Sequence, residues 1–141
     1  MWLLDTMVIS ELRKRVPDQN VVSWLSSAPE NSLFISVVTI SEIQRGIAVQ
    51  RSIDAPFAGR LQHWMNALMR NYGDRLLPIT PETACRRGEL SARAGHDGAD
   101  VMIAATAISH GLCVATRNER HFSIFSVPVI NPYLYVPGTP K

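Results

Sequence analysis

Asp100-Val101-Met102-Ile103-Ala104-Ala105-Thr106-Ala107-Ile108-Ser109-His110-Gly111-Leu112-Cys113-Val114-Ala115 is the stretch that decides the architecture. From Ala99 to His110 the residues are apolar nearly all round, which predicts a helix buried on more than one side. Gly111 supplies the stop. Residues 112–115 form a short apolar run that reads as a strand. The same alternation repeats in both directions. Upstream, 76–79 reads as a strand, and Thr80-Pro81-Glu82 opens a helix with Thr80 as cap and Pro81 in the first turn. Further upstream, the run Leu-Phe-Ile-Ser-Val-Val at 33–38 reads as a buried strand. A helix over 39–50 follows it, with Ile40, Ile43 and Ile47 on one face. A second helix over 58–72 carries Leu61, Trp64, Met65, Leu68 and Met69 at helical spacing. At the start, Trp2–Leu4 is a strand ending at Asp5, and helices over 8–15 and 20–26 are separated by Pro17. Downstream, 127–130 is a fifth strand. Strand–helix alternation along one chain predicts an α/β fold, a parallel sheet with helices on both faces.

The chain has 141 residues, enough for a single domain over 1–141 and too few for two. Residues 132–141, rich in Pro and Gly, are expected to be a loose C-terminal tail. The segment 51–56 is the one candidate flexible connector and is too short to link domains. Hydrophobic residues make up 46% and charged residues 18%, so the chain can bury a core and is no disordered tail. Lys+Arg is 14 against 12 Asp+Glu, a formal charge of +2, which excludes a histone-like polycation and an acidic solvating segment. Only Lys14 and Lys141 are lysines. The arginine bias suits a phosphate-bearing partner, and equally suits GC-rich coding. Cys85 and Cys113 stand far apart in apolar stretches, without a CxxC or Cys/His cluster. Two reduced, buried thiols in a cytoplasmic protein are expected, and no zinc site. The N-terminus lacks the pattern of a signal peptide, and no apolar run approaches the ~20 residues of a membrane span.

A parallel α/β sheet binds its ligand outside the carboxyl ends of its strands. Of the twelve acids, Glu11, Asp18, Glu30, Asp54, Asp74, Glu82, Glu89, Asp97 and Glu119 read as caps and surface charges. Three stand apart. Asp5 ends the first strand, Glu42 lies just past the second, and Asp100 opens the alanine-rich helix. Each also has a structural reading. Asp5 can cap the helix that follows it. Thr39-Ile40-Ser41-Glu42 is a capping box by sequence, and Asp97-Gly98-Ala99-Asp100 resembles one. Directed at one mouth, however, three carboxylates repel one another and must protonate or bind a cation. Oxygen ligands of this kind suit Mg²⁺ or Mn²⁺, which serve phosphoryl displacement. After the fourth strand, Thr116 is placed to hydrogen-bond a carboxylate, Asn118 to hold metal or water, and Arg117 to meet a phosphate. His121, beside Phe122, reads as packing or surface.

These motifs together resemble a PIN-domain nuclease. The matching stretches are Leu3-Leu4-Asp5-Thr6, Val8-Ile9-Ser10-Glu11-Leu12, Ser36-Val37-Val38-Thr39-Ile40-Ser41-Glu42-Ile43, Asp100 to Ala107, and Thr116-Arg117-Asn118. Their order is most similar to VapC-type toxins of the FitB-like branch. The resemblance implies a three-layer α/β/α sandwich around a central parallel sheet. It implies a Mg²⁺- or Mn²⁺-dependent endoribonuclease that acts as the toxin of a toxin–antitoxin pair. Asp5, Glu42 and Asp100 match the family's three metal-holding acids, with Thr6 and Thr116 in support. Asn118 falls near a position where many members carry a fourth acid. Met7 stands where many have Asn. The resemblance also implies a homodimer and a small antitoxin whose C-terminal segment covers the active site. Arg45 and Arg117 are candidate contacts to RNA phosphates. The alternative is a catalytically degenerate module that binds RNA or a partner without cutting; retention of all three acids speaks against it.

Overall fold

The computed structural model describes residues 1–138. Strands β1 (Trp2–Leu4), β2 (Leu33–Ser36), β3 (Leu76–Leu77), β4 (Cys113–Ala115) and β5 (Val129–Ile130) pair in parallel. They form one sheet in the order β3-β2-β1-β4-β5. Parallel pairing demands crossovers. Among the described residues these are α1 (Thr6–Glu11), α2 (Gln19–Ser27), α3 (Val37–Gln50), α4 (Ala55–Tyr72), α5 (Pro81–Ala94), α6 (Ala99–His110) and α7 (Glu119–Ser123). The chain starts mid-sheet, steps outward to β3, then returns to the other side of β1. The direction of travel therefore switches between β1 and β4, where such sheets open their crevice. Leu4 lies opposite Ala115, so the next residues, Asp5 and Thr116, emerge side by side.

Side chains alternate across the sheet with the strand period of two. Leu4, Ile35 and Ala115 enter a cluster with Val8, Ile9, Trp24, Ile47 and Met65 from α1 to α4. Leu3 and Val114 enter the opposite cluster with Val101, Ala104, Ala105 and Phe122 from α6 and α7. Both sheet faces are thus covered, giving the expected α/β/α layers. Each fully buried Leu or Ile contributes roughly 1.5–3 kcal/mol. Helix α6 spans the residues read from the sequence, with Val101 and Ile103 to Ala107 buried. Gly111 closes it in the left-handed region at φ 65°, where a side chain would be strained. Among the described residues no helix is long and apolar enough to cross a membrane.

Several boundaries differ from expectation. The second strand ends at Ser36, whose hydroxyl accepts the Val38 N–H at 3.1 Å and starts α3 there. Thr39 and Glu42 therefore lie inside the helix and form no capping box. Helix α1 begins at Thr6, capped by Asp5, and ends at Glu11 rather than running to residue 15. The connector is only a turn at 51–53, because Asp54 caps α4 through the Phe57 N–H at 3.0 Å and Ala55 and Pro56 are already helical. Neither thiol is buried: Cys85 lies on the outward face of α5, and Cys113, first residue of β4, is half-buried. The tail is not loose from residue 132. Pro132–Leu134 forms a 3₁₀ turn, Asn131 Oδ1 accepts the Tyr133 N–H at 3.0 Å, and Tyr133 is buried. The last three residues of the expected tail, 139–141, lie outside the described residues.

Candidate active site

Asp5 is fixed from both directions. Its backbone N–H donates to the Ala115 carbonyl at 2.9 Å, extending the β1–β4 ladder. Its Oδ1 accepts the Thr6 N–H and its Oδ2 the Thr116 hydroxyl, each at 2.8 Å. Burial pushes the carboxyl above the ordinary aspartate value. The Thr116 and Thr6 bonds and the charge of His121 oppose that push, while the charge of Asp100 reinforces it. Asp5 thus both caps α1 and lines the cleft. The capping bond uses one oxygen and leaves the carboxylate facing the cleft.

Glu42 stands one turn into α3. The Thr6 hydroxyl donates to its Oε1 at 2.6 Å and lies 3.0 Å from the buried Thr39 hydroxyl. Thr6, first residue of α1, therefore links α1 to α3 and aims Glu42 at the cleft. Asp100 sits in the first turn of α6. The box proposed for it does not form: the N-cap is Gly98, without a side-chain capping bond, and Asp97 instead pairs with Arg87. A Cβ added to Gly98 would come within 2.9 Å of Asp100 Oδ1, so the bare backbone makes room for that carboxylate. The Asn118 N–H donates to Thr116 Oγ1 at 3.0 Å, which orients the threonine proton toward Asp5. Asn118 Nδ2 reaches the Met7 sulfur at 3.4 Å, a weak acceptor where an amide would bond strongly.

Asp5, Thr6, Met7, Glu42, Asp100 and Asn118 line one cleft of about 260 Å³, closed by Ala99, Ile103 and Phe122. The three acids are brought together as expected, yet no three His, Cys, Asp or Glu side chains among the described residues close around a single ion. His121, exposed as the surface half of the expectation has it, also lines this cleft. Its signal was its place one turn beyond Asn118 in α7, directly after β4. Arg45 and Arg117 are exposed and do not line the cleft. Arg117 instead stacks on the Tyr133 ring, 4.6 Å from its centroid. A second cleft of about 260 Å³ shares the Thr6 and Glu42 wall and contains Arg13, a cation that sequence reasoning passed over. Glu11, expected on the surface, has only 3% of its area exposed. It accepts the Asp18 N–H at 2.9 Å, the Tyr133 hydroxyl at 2.8 Å and Lys14 Nζ at 3.1 Å. Burial pushes its carboxyl up, but these donors outweigh it and hold the group below the usual glutamate value.

Comparison with known proteins places this geometry in a lineage. The family model described as PIN domain matches residues 2–126. VapC ribonuclease Y4jK of Sinorhizobium fredii is 34% identical over 143 residues, covering 94% of this chain and 98% of the relative. Toxin FitB of Neisseria gonorrhoeae is 32% identical, covering 94% and 99%. The crystal structure of FitAcB from Neisseria gonorrhoeae superposes with a TM-score of 0.85 at 32% identity, over 95% of this chain and 99% of that one.

Proposed function

The chain belongs to the PIN-domain family, and from that premise we propose that it is the toxin of a toxin–antitoxin pair, a Mg²⁺- or Mn²⁺-dependent endoribonuclease of the cytoplasm. One observation carries the proposal: Asp5, Glu42 and Asp100 line a single cleft at the switch point of the sheet. A degenerate binding module would have no use for three carboxylates at that cost in repulsion.

The donor set fits a small divalent ion. Asp5 and Asp100 repel, as the upward push of Asp100 on the Asp5 carboxyl records, and a cation relieves that repulsion. Mg²⁺ keeps most of its waters and needs only one or two protein carboxylates, so the absence of a closed three-acid cage suits it. Asp5 and Asp100 would hold the ion, with Glu42 and Asn118 reaching it directly or through water. When bound, such an ion neutralises phosphodiester charge and lowers the pKa of a water. The chain's own residues do the rest. Thr116 fixes the Asp5 carboxylate, and Thr6 fixes Glu42. Arg117, and Arg45 on the outer face of α3, bind the flanking phosphates of the RNA.

The acid cleft also defines the partner. An antitoxin segment that presents a basic side chain to these carboxylates excludes RNA by charge complementarity. Two copies of the toxin are expected in the complex, and light scattering on the purified protein measures this. The deciding experiment assays wild type and Asp100→Asn on a mixed RNA pool with Mg²⁺, Mn²⁺ or EDTA. Cutting by wild type only, abolished by EDTA, supports the proposal. Equal cutting by Asp100→Asn, or cutting that survives EDTA, overturns it.

A further inference from the structure

Tyr133 lies in the segment that the sequence assigned to a loose tail, yet it is buried and tethered at both backbone and side chain. Its N–H is held by Asn131 Oδ1, its carbonyl accepts Asn20 Nδ2 at 2.7 Å, and its hydroxyl donates to Glu11 Oε2 at 2.8 Å. Glu11 is itself anchored by the Asp18 N–H and Lys14. A buried carboxylate is costly to maintain, and here its donors come from α1, the start of α2 and the C-terminal 3₁₀ turn. The result is a ring held at its hydroxyl and at both sides of its backbone.

On that ring rests the Arg117 guanidinium, between Thr116, which grips Asp5, and Asn118, which lines the cleft. Arg117 is exposed, and no carboxylate pairs with it among the described residues. The guanidinium carbon lies over the ring while the residue stays exposed and free of ion pairs among the described residues, so its N–H donors are available to a ligand. A free arginine side chain loses up to roughly 2 kcal/mol of rotamer entropy when a ligand orders it. One already laid on a fixed ring loses less.

We propose that Tyr133, locked by Glu11, is a positioning residue that presents Arg117 to a backbone phosphate of the RNA strand beside the acid cleft. The proposal rests on the endoribonuclease reading. Tyr133 touches no substrate and acts only through Arg117.

The test measures RNA cleavage and salt-dependent RNA binding by the intact protein for Arg117→Gln, Tyr133→Leu and the double variant. Arg117→Gln is expected to raise KM about tenfold, the worth of one charged hydrogen bond, with a smaller change in kcat. Tyr133→Leu should reproduce that split, and the double variant should be no worse than Arg117→Gln alone. Each should lower the slope of log affinity against log salt by about 0.7, one phosphate contact to a single strand. Should Tyr133→Leu not fold, the wild type still decides: ring-current-shifted Arg117 side-chain resonances in its NMR spectrum support the stack, and unshifted ones overturn it. Additive effects in the double variant, or a folded Tyr133→Leu with wild-type KM, overturn the positioning role while the nuclease reading stands. Wild type that neither binds nor cuts RNA with either metal overturns both.

Discussion

Helix α1 draws a carboxylate out of water at each end, and the two meet opposite fates. Asp5, at its N-terminus, is pushed above its ordinary pKa, while Glu11, at its C-terminus, is held below. The helix dipole favours the reverse, since it stabilises negative charge at the N-terminus. In a helix of six residues that effect is outweighed by specific neighbours. Glu11 has three donors and no carboxylate against it. Asp5 has two donors and faces Asp100 across an open cleft. Burial acts on both in the same direction, so the donor and charge count around each group decides the outcome. The saturated end of α1 serves the fold. The undersaturated end is the one that would hold a cation under the proposed function.

The hardest strike against this contrast is Asp5→Asn. The amide keeps the shape, accepting the Thr6 N–H and donating to Thr116, but carries no charge. RNA cleavage should fall by about a thousandfold, near 4 kcal/mol of transition-state stabilisation. Single-turnover rates measure it, and a loss under tenfold would remove Asp5 from the chemistry. At the other end, Glu11→Gln sets an NH₂ against Lys14 or Tyr133, both donors. About 2–3 kcal/mol of unfolding free energy should be lost, read by urea titration. Gly98→Ala has a smaller effect than either. Its new methyl would meet Asp100 Oδ1 at 2.9 Å, and the carboxylate, at the end of a flexible side chain, is what yields. Cleavage should drop roughly tenfold, with a slightly lower melting temperature, because alanine is a poorer N-cap than glycine. Unchanged cleavage would mean that Asp100 has latitude in its position.

How much of this was legible in sequence follows from where the determining contacts come from. Asp5, Thr116 and the α6–Gly111–β4 unit were legible because strand ends and helix stops are local signals. The start of α3 was not. Ser36 and Thr39 are both acceptable caps, and Val37-Val38 favours a strand by propensity; the choice fell to Ser36 because Thr39 is buried within reach of Thr6. Glu11 looked like a surface residue beside Arg13 and Lys14, since the hydroxyl that helps to bury it arrives from Tyr133, far along the chain. His121 was dismissed on its neighbour Phe122. That neighbour does point into the core, and the helical turn that buries Phe122 brings His121 to the cleft.

The smallest expected effect is also the sharpest, because it has a sign. With its pKa raised on folding, Asp5 binds its proton more tightly in the native state than in the unfolded chain. Stability therefore falls as pH rises through the window between the ordinary aspartate value and the higher folded one, and the penalty is complete above it. Glu11 does the opposite: its contribution is full above the ordinary glutamate value and is lost as pH falls through the lower folded one. Asp5→Asn should thus stabilise the protein at neutral pH, by no more than about 1 kcal/mol because the carboxylate is only half-buried. Glu11→Gln should destabilise it there. Urea titrations across a pH series should show the two difference curves lying on opposite sides of wild type at neutral pH and converging toward it in acid. If Asp5→Asn is instead destabilising at neutral pH, the Thr116 and Thr6 bonds dominate its environment. Asp5 would then be a saturated carboxylate like Glu11, and the division between the two ends of α1 would collapse.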